Sequence, residues 1–174
     1  MTKSLQRFEN IVRNAKNVGA AKAEDAPSVH PFDDRNIHPE ISEVSLKLFD
    51  NGHYSQATFE AFKYLDKIVK GISKVNDSGF SLMMNAFGEK NTKIKLTPMS
   101  NQSEIDEQSG YKFIFAGVMS AIRNPRGHDI CDDPIDRCLD HLSIASVLLR
   151  RLEDRPESVA PGKNIDENSA PPPN

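Results

Sequence analysis

The sequence predicts an all-α protein, a bundle of four or five helices, and three observations carry that expectation. Apolar residues recur every three to four positions over residues 54–75, 105–122 and 134–153, the period of a helix with one buried face. Start and stop residues flank the runs: Pro39 as a first helical residue, Asn51-Gly52 as a stop, Asp133-Pro134 as a start. No period-two run bounded by hairpin turns competes with them. At 174 residues and 37% hydrophobic content, the chain suits one domain with a genuine core.

The elements follow in order. Residues 1–17 read as an N-terminal helix, which Thr2 can cap and in which Leu5, Phe8, Val12 and Ala15 form a stripe. Residues 18–36 are rich in Ala, Asp and Pro without a regular period, and read as a linker. The helical domain is expected over residues 37–154. Its first helix begins at Pro39, repeats Ile41, Val44, Leu48 and Phe49, and stops at Asn51-Gly52. From Tyr54 a longer helix carries Ala57, Ala61, Leu65, Ile68, Val69 and Ile72, with Lys63, Lys67, Lys70 and Lys74 on its other face. Phe80, Leu82, Met83, Met84 and Phe87 suggest one or two apolar helical turns, and residues 89–102 a polar loop. Phe115, Val118, Met119 and Ile122 share a face of the next helix, where Gly110 marks a start, a kink or a close backbone approach. Asp133 can cap a closing helix whose first residue is Pro134. Residues 155–174, with Pro156, Pro161 and Pro171-Pro172-Pro173, hold almost no large apolar side chain and read as a disordered Pro-rich tail.

The formal net charge is −3, which argues mildly against a protein that coats nucleic acid, but its distribution is uneven. Residues 60–126 hold ten Lys/Arg against seven Asp/Glu, whereas residues 127–174 hold five against ten. No apolar stretch approaches the roughly twenty residues of a membrane span, and the N-terminus lacks the pattern of a secretory signal. A cytoplasmic location is therefore expected. Cys131 and Cys138, seven residues apart, lack the close Cys/His pairs of a zinc site. Neither a disulfide, a metal nor another cofactor is expected.

The chemistry concentrates at Arg123-Asn124-Pro125-Arg126-Gly127-His128, where an apolar helical run stops. Pro125 disfavours the α region for Asn124, and Gly127 permits a left-handed turn, so Arg123 should lie in the last helical turn with His128 just beyond it. Such a bend sets a permanent cationic fork and a group titrating near neutrality within reach of one phosphate. The alternative is that Arg123 and Arg126 complement the helix dipole and His128 is an ordinary surface residue. Lys63 and Lys67 either follow a phosphate backbone or form a solvated face. His53 and Tyr54 can approach the same pocket, although a helix N-terminus and core packing account for them more simply. His30, His38 and His141 belong to no cluster.

Arg123, Asn124 and His128, with four residues between the Arg and the His, match the signature of the HEPN superfamily, which the order of helices also resembles. More narrowly, His38-Pro39, Gly52-His53-Tyr54, Leu82-Met83, Glu107-Gln108-Ser109-Gly110 and Arg123-Asn124-Pro125 resemble a bacterial group associated with prophages and abortive infection. The likeness covers residues 37–153. It implies a helical bundle that forms a homodimer, faces two Arg/His motifs across the interface, and cleaves RNA without metal.

RNA carries its own nucleophile, the 2′-hydroxyl, so cleavage needs a base, an acid for the departing 5′-oxygen, and positive charge on the phosphate. In that scheme Arg123 grips the phosphate, His128 transfers a proton and Asn124 orients the phosphate or a ribose hydroxyl. Arg126 contacts a neighbouring phosphate or is a surface charge. The resemblance further implies a toxin or phage-defence effector, with an antitoxin or defence-system partner. It also admits a non-catalytic module that binds RNA, a nucleotide or a protein, and the net acidity admits a purely structural helical dimer.

Overall fold

The structure, a computed structural model, describes residues 29–156. The chain divides into two units, residues 1–30 and 31–174, and of the first only Val29 and His30 are described. The expected helix over 1–17, most of the linker and the tail beyond residue 156 lie outside the described residues.

The second unit is all-helical, with no strand among the described residues. Its helices are α1 (Pro31–Asp34), α2 (Pro39–Asp50), α3 (Tyr54–Ser73), α4 (Gly79–Ala86), α5 (Gln102–Val118), α6 (Asn124–His128) and α7 (Ile135–Glu153). Within the stretch read as a linker, α1 makes one turn that sets Phe32 in the core, its ring 5.0 Å from that of Phe49. The α2 helix starts as Pro39 leads one to expect. His38 caps it, Nδ1 accepting from the Glu40 amide at 3.2 Å. It ends where Gly52 adopts φ +79°, a conformation that glycine reaches without a Cβ penalty, and the His53 amide donates back to the Leu48 carbonyl at 2.8 Å.

The α3 helix lies at the centre and buries Ala57, Ala61, Phe62, Leu65 and Val69 in one stripe. Asp66 on the same helix is also buried, and its carboxylate accepts the Gly79 amide at 2.6 Å, satisfying the first turn of α4. Phe87 and Phe115 stack with centroids 4.5 Å apart. Each fully buried ring of this kind contributes on the order of 1.5–3 kcal/mol through the apolar surface it removes from water.

The expected polar loop after α4 carries core residues. Ile94 and Leu96 are buried in it. Gln108, with no exposed surface, makes that possible: its carboxamide accepts the Leu96 amide at 2.7 Å and donates to the Ile94 carbonyl at 3.0 Å. A side chain from α5 thus replaces the ladder that an irregular segment lacks. None of the roles expected of Gly110 is found, since α5 runs through it and nothing lies within 4 Å of where a Cβ would sit. The closing helix begins at Ile135, with Pro134 as its cap residue and no side-chain cap. Asp133 does not cap it, because its carboxylate is held by Arg126.

Candidate functional site

The expected stop at Pro125 does not occur. After Val118 the helix widens into a π turn over Met119–Arg123, in which the Asn124 amide reaches back five residues to the Met119 carbonyl. The α ladder restarts at Asn124, so Pro125 falls in a first turn, where the missing N–H is tolerated. His128 is therefore the last residue of α6 rather than a residue beyond the helix, and Asp129 closes the turn by donating to the Pro125 carbonyl at 2.8 Å. Gly127 is not left-handed either. A Cβ at Gly127 would lie 2.9 Å from the Phe59 ring of α3, so glycine serves close packing there.

Continuous α geometry from Arg123 to His128 separates their side chains by about 140° around the axis, whereas Asn124 and His128, four residues apart, share a stripe. The structure brings Arg123 and Asn124 together, Nη1 donating to Oδ1 at 3.1 Å. It does not pair His128 with either. His128 is exposed.

The Arg123 guanidinium lies 5.5 Å from the Phe59 ring centroid, and its buried Nε has no hydrogen-bond partner among the described residues. It joins no ion pair there, unlike Arg35, Arg126, Arg137 and Arg151, each of which meets a carboxylate. Lys63 approaches the same ring at 5.7 Å while bonding the Glu60 carboxylate at 3.1 Å. Lys67 is exposed one turn further along α3.

Arg126 corrects the sequence reading most plainly. Its side chain is 7% exposed and grips Asp133, itself 2% exposed, through Nε at 2.6 Å and Nη2 at 2.7 Å, while Nη1 donates to the Ile122 carbonyl at 2.7 Å. It is neither a surface charge nor a free phosphate ligand; it ties α6 to the start of α7. Burial would raise the Asp133 carboxyl, but the Arg126 hydrogen bonds and charge outweigh it and hold that carboxyl below the usual carboxylate range. His141 sits beside this pair. Burial first, then the Arg126 charge, pushes its imidazole below its ordinary value, and its Nδ1 is buried without a partner. Sequence reasoning missed Phe59, Asp133 and His141, since nothing in their spacing distinguishes them from ordinary core or surface residues.

A cleft of about 320 Å³ opens beside α6 between Gly52, His53, Ser55, Arg126 and Asp129. His53 occupies the N-cap position of α3 without a side-chain cap bond. Both cysteines are free; burial pushes the Cys138 thiol up. His38, Glu40 and Glu153 place potential metal ligands within 4.8 Å of one another. His38 Nδ1 already accepts the Glu40 amide, which leaves the ring proton on Nε2, 3.0 Å from Glu153. A metal at Nε2 would force a proton onto a nitrogen that faces a donor. The cluster therefore suits a clasp between α2 and the end of α7 better than a metal centre.

The fold and site define an all-helical protein with an unpaired arginine packed on an aromatic ring beside an exposed histidine. A family model described as "Protein of unknown function (Hypoth_ymh)" matches residues 35–152, and the chain belongs to that family. No curated protein and no solved structure matches it. No helix among the described residues is long and apolar enough to cross a membrane.

Proposed function

We propose that the protein is a metal-independent endoribonuclease of the HEPN type, in which Arg123 holds the scissile phosphate, Asn124 orients it and His128 moves the proton. The observation that carries this reading is the Arg123 guanidinium, which has no carboxylate partner among the described residues and is held only by Phe59 and Asn124. Four other arginines of the same unit are neutralised. A cation left without a counter-ion beside a titratable group suits an anionic ligand.

Because Arg123 and His128 leave the helix about 140° apart, one chain aims them poorly at one phosphate. A second copy related by a two-fold axis supplies the complement, with Arg123 of one chain and His128 of the other on a single linkage. That arrangement makes homodimerisation part of the chemistry. A toxin or phage-defence role, cytoplasmic and restrained by an antitoxin or defence-system partner, extends the same reading.

Incubation of the purified full chain with mixed RNA in EDTA tests it. Cleavage should persist and leave 2′,3′-cyclic phosphate or 3′-phosphate ends with 5′-hydroxyls. Inhibition by chelation would assign the activity to a metal nuclease. Binding without cleavage would assign the protein to the non-catalytic modules.

A further inference from the structure

We infer that the cleft between α2 and α3, lined by Val44, Lys63, Tyr64, Lys67, Lys70 and Gly71, binds a single-stranded RNA segment that continues from the phosphate at Arg123. This rests on the reading of Arg123 as a phosphate ligand. The cleft encloses about 570 Å³. Phe59, Lys63, Lys67 and Lys70 fall at positions 0, 4, 8 and 11 along one side of α3, so the stripe runs for about 16 Å from the ring that supports Arg123. The track therefore begins at the candidate site.

Its charges are not cancelled. Lys67 and Lys70 are exposed and join no ion pair among the described residues. The acidic groups nearby are engaged elsewhere: Glu60 takes Lys63 and Gln56, Asp66 takes the Gly79 amide, and Glu40 takes the Tyr64 hydroxyl at 2.8 Å. What faces outward is a cationic rim over an apolar and aromatic wall.

Gly71 adds an independent sign. Glycine in a helix is less stable than alanine, yet nothing lies within 4 Å of the place a Cβ would occupy and its φ is not left-handed. No packing within the chain requires it. A bare position keeps the cleft floor open for an occupant. Lysines beside an aromatic wall in a recessed groove suit unstacked bases and their phosphates, whereas a duplex is gripped across two successive grooves by a broader surface.

The test is fluorescence anisotropy of a short labelled single-stranded RNA with full-length His128→Ala protein, which leaves the probe intact. Adding Lys67→Ala and Lys70→Ala together should raise Kd at least about tenfold and flatten the slope of log K against log salt by about 1.4, the release of two counter-ions from a single strand. Gly71→Leu, which leaves the charge untouched, should also weaken binding by filling the floor. Unchanged affinity in both variants, no binding of the probe by the parent protein, or equal binding of duplex RNA or a polyglutamate peptide would overturn the inference. The assay reads binding alone, so it separates the two claims. Lysine-dependent binding without cleavage by the unsubstituted protein sinks the nuclease reading only; cleavage with lysine-independent binding sinks the cleft only.

Discussion

Arg123 and Lys63 share one aromatic ring: the guanidinium carbon lies 5.5 Å and the ammonium nitrogen 5.7 Å from the centroid of Phe59. Each such contact is worth about 0.5–1 kcal/mol at an exposed site. The ring thus couples α3 to the π turn and holds Arg123 without neutralising it. Phe59→Leu should lower RNA cleavage about tenfold through kcat, and Phe59→Tyr should restore it. A loss of melting temperature matching the loss of activity in both variants would reduce Phe59 to a packing residue.

Arg123→Ala should reduce cleavage by about 10² to 10³ and His128→Ala by about 10² to 10⁴. Neither should shift the thermal midpoint by more than a few degrees, because neither side chain joins an ion pair among the described residues. Mixing the two inactive proteins and allowing exchange should return about a quarter of the original rate, since half the dimers are mixed and each regains one of two composite sites. No recovery, with exchange verified, would confine the chemistry to one chain.

Arg126→Ala should behave differently. It strands the buried Asp133 carboxylate and should destabilise the fold by about 3–5 kcal/mol, read as a shift in the urea midpoint. Pairing it with Asp133→Leu should recover much of that loss. A surface role for Arg126 predicts a change under about 0.5 kcal/mol.

Acid should weaken the protein in two stages. His141 is held below its ordinary value, so the unfolded chain binds its proton first, and stability falls as pH drops below about 6.5. His141→Leu should flatten that stage. Asp133 is also held low, so its contribution is complete above about pH 3.9 and disappears as pH falls through its lower folded value. Urea melts across this range for the parent and the two variants check both signs.

Gly127→Ala should cost about 1–3 kcal/mol, since the new methyl would lie 2.9 Å from the Phe59 ring. Phe59→Ala in the same chain should make the substitution nearly neutral. Additive losses would show that the contact yields without strain.

Helix existence was legible because α2, α3, α5 and α7 each bury a stripe, and a stripe is written into apolar spacing. The path through Pro125 was not legible, because a wide turn leaves no periodic mark and the local rule for proline favours a stop. Arg126 was misread for another reason: an arginine in sequence carries no sign of whether a carboxylate seven residues on will fold back onto it. Ile94 and Leu96 escaped notice since their burial depends on a single distant carboxamide. The candidate residues Arg123, Asn124 and His128 could be named from their order, but their divergent directions could not.

The five-residue ladder between Met119 and Asn124 makes the aim of the arginine a matter of chain length. Deleting one residue there would restore uniform winding, press the proline ring against the preceding coil and rotate the guanidinium by about 100° from its aromatic support. Such a shortened chain would keep every polar group of the motif and still be disarmed.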